Sequence, residues 1–192
     1  MNAQTSTTNC GVVVLVGVMG SGKSTVGMGV ARQLRCPFID IDARIAQSTG
    51  KSVSEIFAQL GESQFRAIES DVLMQVMDES CLHNAPGVSP SVVIATGGGA
   101  VISQSNRDKI AAVASHVIWL DAQVDVLLQR TSSSKNTRPL LANDPQQTLS
   151  TLSAERAVLY QQVATAKVDT SGLTINQVID AVEKIVCQGV IS

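Results

Sequence analysis

The apolar positions fall into two kinds of pattern that alternate along the chain. Val12-Val13-Val14-Leu15-Val16 is an unbroken run, mostly β-branched and too short for a helix. It reads as a parallel strand covered on both faces. Ser91-Val92-Val93-Ile94-Ala95-Thr96 and His116-Val117-Ile118-Trp119-Leu120 read the same way, with Trp119 as core packing. Two shorter strands are expected at 36–42 and at Lys167-Val168-Asp169. Between these runs the period becomes helical. It does so over Thr25 to Leu34, over a short segment from Gly50 to Gln59 capped by Ser52 or Ser54, and, after a break at Gly61, from Glu62 to Met77. That third helix has Phe65, Ile68, Val72 and Val76 on one face. Further helices are expected over Asn106 to Val113 and Gln123 to Arg130. Another starts at Asp144-Pro145, a cap followed by proline at the first helical position, and carries Leu149, Leu152, Leu159 and Val163 inward. The last bears Ile175, Val178, Ile179, Val182 and Val186. Strands alternating with helices imply an α/β domain built on a parallel sheet.

The polar punctuation between these elements carries the candidate chemistry. Gly17-Val18-Met19-Gly20-Ser21-Gly22-Lys23-Ser24-Thr25 fits the pattern G-x-x-x-x-G-K-[ST] between a strand and a helix. Main-chain N–H groups can wrap a polyphosphate only if side chains are missing at the glycines, and the helix opening near Lys23 turns its free N–H groups and positive dipole end to the same anion. Lys23 is expected at the β- and γ-phosphates of a nucleotide and the Ser24 hydroxyl on Mg²⁺. In Cys36-Pro37-Phe38-Ile39-Asp40-Ile41-Asp42, alternation puts Asp40 and Asp42 on the same side of a strand end. One carboxylate can then order the Mg²⁺ shell and the other hold an acceptor hydroxyl. The alternative is a pair of helix-capping aspartates.

Three more groups stand out. Arg66 and Glu69 are neighbours on one helix, so Glu69 can fix the guanidinium and leave part of its fork free; a surface ion pair is the alternative. Gly97-Gly98-Gly99 closes a strand, as a backbone approaching a ligand closely or as a flexible turn. Arg156 falls between Leu152 and Leu159 on an inward stripe, where its charge needs an anionic partner from the protein or from a substrate. The segment from Thr131 to Asn143 is polar, lacks helical period and holds Lys135 and Arg138. It reads as a lid or binding loop rather than a linker.

Composition narrows the picture. Aromatic residues make up only 3% of 192 residues against 44% hydrophobic, so the core must come from Val, Ile, Leu and Ala, as suits a helix-covered parallel sheet. A formal net charge of −2 without a basic stripe gives no footprint for nucleic acid. Cys10, Cys36, Cys81 and Cys187 are too scattered for a metal site and read as free cytosolic thiols; His83 and His116 fit no ligand or triad pattern. The first residues resemble no leader peptide, and no apolar run is long enough for a membrane span. The expected organisation is a loose tail over 1–10 and a single domain over 11–192, cytoplasmic and monomeric, with a substrate-binding region about 42–77 and a lid about 131–145.

Taken together, Gly17 to Thr25, Ile39-Asp40-Ile41-Asp42, Gly61-Glu62-Ser63-Gln64-Phe65-Arg66, Gly97-Gly98-Gly99, Arg138-Pro139-Leu140-Leu141, and Glu155-Arg156 with Leu159-Tyr160 closely resemble the shikimate kinases, from Val12 to about Val186. The resemblance implies a P-loop fold like the nucleoside monophosphate kinases, a five-stranded parallel sheet in order 2-3-1-4-5 with a lid. It implies transfer of phosphate from ATP to the 3-hydroxyl of shikimate, on the way to the aromatic amino acids. Carried over position by position, it places Gly20, Ser21, Gly22, Lys23, Ser24 and Thr25 on ATP, and Ser24 and Asp40 at Mg²⁺. Asp42 falls on the acceptor hydroxyl, where it can take the proton, and Arg66, Arg156 and Gly97 to Gly99 fall on shikimate. Arg138 then comes from the lid to the transferred phosphoryl, and Arg130 lies near the adenine. The 130–138 segment is about one residue longer than the family's usual form. Another small-molecule kinase of this fold, acting on gluconate or a nucleotide, and a nucleotide-dependent binding protein are the competing readings.

Overall fold

The structure, a computed structural model, describes residues 11–82, 92–132, 141 and 144–188. Five strands form one parallel sheet in the order β2-β3-β1-β4-β5: β1 (Val12–Val16), β2 (Phe38–Asp40), β3 (Val92–Ala95), β4 (His116–Asp121) and β5 (Ala166–Asp169). The order is the expected one. The central strand β1 explains its own composition. All five residues are fully buried, and their period of two splits them between two cores. Val12, Val14 and Val16 pack with α2 (Ile41–Thr49), α3 (Val53–Leu82), α4 (Gln104–Val113), α5 (Val124–Ser132) and α6 (Pro145–Val163) on one face. Val13 and Leu15 pack with α1 (Lys23–Leu34) and α7 (Ile175–Gln188) on the other. With no face left to water, no alternation appears in the sequence.

Local signals fix several element ends. Ser52 and Glu55 form a reciprocal cap at the start of α3, Ser52 Oγ accepting from the Glu55 N–H while Glu55 accepts from the Ser52 N–H at 2.8 Å. Gly61 interrupts α3 with φ 77° and ψ 173°, where a side chain would be strained. Asp144 caps α6 through the Gln147 N–H at 3.0 Å.

Three expectations are corrected. Asp42 does not lie on a strand: β2 stops at Asp40, whose carboxylate accepts from the Ala43 N–H at 3.2 Å and starts α2, so Asp42 sits in the first helical turn. The helix after Gly61 continues past Met77 through Cys81 to Leu82, with Val76 and Met77 fully buried against the core. Ile175 is 55% exposed, because the buried stripe of α7 begins only at Val178. Of the lid expected over 131–145, residues 133–140 and 142–143, Arg138 among them, lie outside the described residues, while Thr131 and Ser132 close α5 and Pro145 opens α6; the N-terminal tail and His83 also lie outside.

Candidate active site

The β1–α1 turn is shaped by its glycines. Gly20 and Gly22 have φ of 83° and 96°, and Gly22 is the residue immediately before α1. This left-handed conformation costs non-glycine residues energy, and it aims successive N–H groups inward. Ser21 is 1% exposed and its hydroxyl has no hydrogen-bond partner among the described residues. Lys23 is buried, and its ammonium donates to the Gly17 and Val18 carbonyls at 2.7 and 2.9 Å. The loop thus supplies a buried cation with two neutral carbonyls among its acceptors, next to N–H groups suited to an anion. Thr25 is exposed on the first turn of α1.

Ser24 Oγ donates to Asp40 Oδ2 at 2.5 Å. Asp40 therefore has two tasks at once: one oxygen caps α2 and the other meets the serine that follows the loop lysine. Capping and site formation, alternatives in the sequence, coexist because a carboxylate has two oxygens. Arg130, near the end of α5, donates to Thr170 Oγ1 and the Thr170 carbonyl at 2.9 and 2.8 Å. The adjacent Thr131 lies against Gly20, while the Arg130 guanidinium is held at Thr170, just after β5.

The second half of the site is assembled on Gly97 to Gly99, directly after β3. None of the three has positive φ. They are needed for space: a Cβ on Gly99 would fall inside the Arg66 guanidinium, and one on Gly97 would strike Glu69 Oε1 and come within 3.1 Å of Asp42 Oδ1. Asp42, Arg66 and Glu69 therefore converge over this loop although they come from two helices. Arg66 donates to Glu69 Oε2 at 2.7 Å and Glu62 Oε1 at 3.0 Å, with its guanidinium 5.2 Å above the Phe65 ring. From the far side Arg156, 5% exposed, donates to the Gly98 carbonyl at 3.1 Å. Tyr160, one turn along α6, donates to the same oxygen at 2.6 Å.

Burial dominates the electrostatics here. Glu69 is 1% exposed, and desolvation raises its pKa; Arg66 pulls the other way, while the nearby Asp42 carboxylate pushes it up further. Burial pulls the Arg66 guanidinium down, but the charges and hydrogen bonds of Glu69 and Glu62 more than offset this and leave it above its ordinary value. One Glu69 oxygen has no hydrogen-bond partner among the described residues. The arrangement is two arginines, Arg66 paired through both terminal nitrogens with Glu69 and Glu62 and Arg156 on a carbonyl, beside the Asp42 carboxylate. It can grip a small polyol carrying a carboxylate.

Most of the expected site residues are thus brought to two adjoining places at the carboxyl ends of β1, β2 and β3, where an open α/β sheet binds ligands. Tyr160 had no assigned role in the sequence. The usable signal was its spacing, four residues after Arg156 on the same helical face.

The family model described as Shikimate kinase matches residues 19–186. The chain belongs to the shikimate kinase family. It is similar to the shikimate kinase of Gloeobacter violaceus, 44% identical over 160 residues, which cover 83% of each chain. It is also similar to that of Corynebacterium glutamicum, 34% identical over 171 residues, 89% of this chain and 94% of the relative. Among solved structures, shikimate kinase from Acinetobacter baumannii in complex with shikimate superposes with a TM-score of 0.83 at 31% identity, covering 94% of this chain and 95% of that one. Members of the family are kinases with ATP as co-substrate. The phosphate loop and the five-stranded sheet described above are the corresponding parts of this chain.

Proposed function

We propose that the chain transfers the γ-phosphoryl group of ATP to the 3-hydroxyl of shikimate, giving shikimate 3-phosphate and ADP for aromatic amino acid synthesis. The observation that carries this reading is the convergence of Asp42, Arg66 and Arg156 on the Gly97–Gly99 backbone. Arg66 and Arg156 grip the acceptor's carboxylate, a planar anion that matches a guanidinium fork. Asp42 holds the acceptor hydroxyl and takes its proton as the oxygen bonds to phosphorus and the β–γ bridging bond breaks. Lys23 leaves the Gly17 and Val18 carbonyls for the phosphates, whose charge makes them the stronger acceptors. Arg138, assigned from the sequence, neutralises charge on the transferred group, and Arg130 lies by the base.

Ser24 and Asp40 fit Mg²⁺. Their oxygens stand side by side at the loop, and this ion takes one or two protein oxygens together with phosphates and water. When bound, Mg²⁺ neutralises charge developing between the β- and γ-phosphates. The expectation of a cytoplasmic monomer without a nucleic-acid partner belongs to the same proposal.

Arg66→Lys and Arg156→Lys keep charge but lose the bidentate geometry. Charged hydrogen bonds contribute about 1.5–3 kcal/mol each, so shikimate should bind about one to two orders of magnitude more weakly, with ATP affinity nearly unchanged. Calorimetric titration of both ligands into the three proteins, together with shikimate carrying a neutral amide, is the test. Equal binding of acid and amide, or loss of ATP instead of shikimate, would remove the two arginines from the acceptor site.

A further inference from the structure

The peptide joining Gly98 to Gly99 lies between two residues without side chains. Such a unit turns over at little cost, because no Cβ on either side resists the change in ψ and φ. Its carbonyl oxygen is nevertheless held by two donors from α6, the Tyr160 hydroxyl at 2.6 Å and Arg156 at 3.1 Å. In a trans peptide the N–H points opposite to the C=O, and the chain has no cis bonds among the described residues. A carbonyl turned towards α6 therefore turns the Gly99 N–H away from it. That N–H donates no hydrogen bond among the described residues, and Gly99 is the residue against which the Arg66 guanidinium is stacked.

The two donors are not equivalent. Arg156 is a mobile commitment: on the reading given above, the acceptor's carboxylate draws its guanidinium, and a charged acceptor outcompetes a neutral carbonyl. Tyr160 has nowhere else to go. Its side chain is 1% exposed, and its ring centroid lies 5.7 Å from that of Trp119. Burial raises the phenol pKa well above its ordinary value, with Arg156 acting against the shift, so the hydroxyl keeps its proton and stays a donor.

We propose that Tyr160 is a positioning residue for phosphoryl transfer, holding the Gly98–Gly99 peptide in one orientation so that the Gly99 N–H stays turned to the acceptor while Arg156 is engaged by its carboxylate. Tyr160 acts through the backbone and touches no reacting atom. The proposal rests on the acceptor site described under the proposed function.

Tyr160→Phe removes only the hydroxyl and keeps the ring that packs on Trp119. The loss of one hydrogen bond to a peptide that must be ordered should raise the dissociation constant and KM for shikimate about tenfold. ATP affinity and thermal midpoint should stay close to those of the unmodified enzyme. Combination with Arg156→Lys should be non-additive for shikimate, because both donors act on one oxygen. The titrations are run on the unmodified protein, Tyr160→Phe, Arg156→Lys and the double variant. Failure of the unmodified protein to bind shikimate would overturn the acceptor site itself. Normal binding by that protein with an unchanged shikimate constant in Tyr160→Phe would overturn the role of Tyr160 alone. Equal losses of shikimate and ATP, or a fall in thermal midpoint that accounts for the whole effect, would make Tyr160 a packing residue and overturn it too.

Discussion

Asp40 and Asp42 are two residues apart and differ completely in surroundings. Asp40 closes β2, caps α2 and meets Ser24, while Asp42 stands in the first helical turn beside Gly97 and Glu69. The sequence supplied the right residues with the wrong local geometry, because alternation was extended past the point where a capping carboxylate ends the strand. Replacement of Asp42 by Asn preserves shape and removes the charge that holds the hydroxyl and accepts its proton. Turnover should fall about 10²–10⁴-fold, the usual contribution of a general base, with ATP affinity little changed. Steady-state kinetics with shikimate varied at saturating ATP measures this, and near-normal turnover would take Asp42 out of the chemistry. Arg156 was legible because a charge on an apolar stripe demands a partner. That its partner in this structure is a backbone carbonyl, shared with Tyr160, was not legible, since no pattern in one helix reports what faces it.

At the scale of elements, the glycine run after β3 is the piece whose meaning changed most. Three consecutive glycines read as a backbone approaching a ligand, with a flexible turn as the alternative. The structure assigns them a third use, room for the side chains of Asp42, Arg66 and Glu69. Gly99 has φ −101° and ψ −1°, in the bridge region that alanine can reach without a positive φ. Gly99→Ala should therefore fold, with a lowered thermal midpoint, because the displaced guanidinium leaves the buried Glu69 carboxylate without its cation. It should lose shikimate affinity because Arg66 must vacate its place. Thermal melting beside shikimate titration measures both effects; intact shikimate binding with an unchanged midpoint would contradict this use of the glycine. The break in α3 at Gly61 was legible from the residue alone, whereas the extension of the helix to Leu82 was not. Its last turn, with Cys81, lies past the apolar face that ends at Val76 and Met77.

At the scale of the molecule, the parallel sheet was legible from apolar runs without alternation, and its strand order from the resemblance; both match the structure. Stability should carry a mark of one residue at the sheet's edge of burial. His116, the first residue of β4, is lowered below its ordinary pKa of 6.5 by desolvation. The folded protein then binds fewer protons than the unfolded chain, so this contribution is fully present above 6.5 and is lost as pH falls through that value towards the lowered one. Denaturant unfolding followed between about pH 5 and 8, the range in which histidine titrates, should show stability declining on the acid side. In His116→Gln that part of the decline should disappear; an identical slope in both proteins would contradict the assignment. The central claim concerns the acceptor, and ADP release measures it directly. With ATP and Mg²⁺ present, the purified protein is offered shikimate, gluconate and nucleoside monophosphates in parallel. Rapid ADP release with shikimate alone, accompanied by shikimate 3-phosphate, is the predicted result, and release that is faster with gluconate or a nucleotide, or absent with all acceptors, would contradict it.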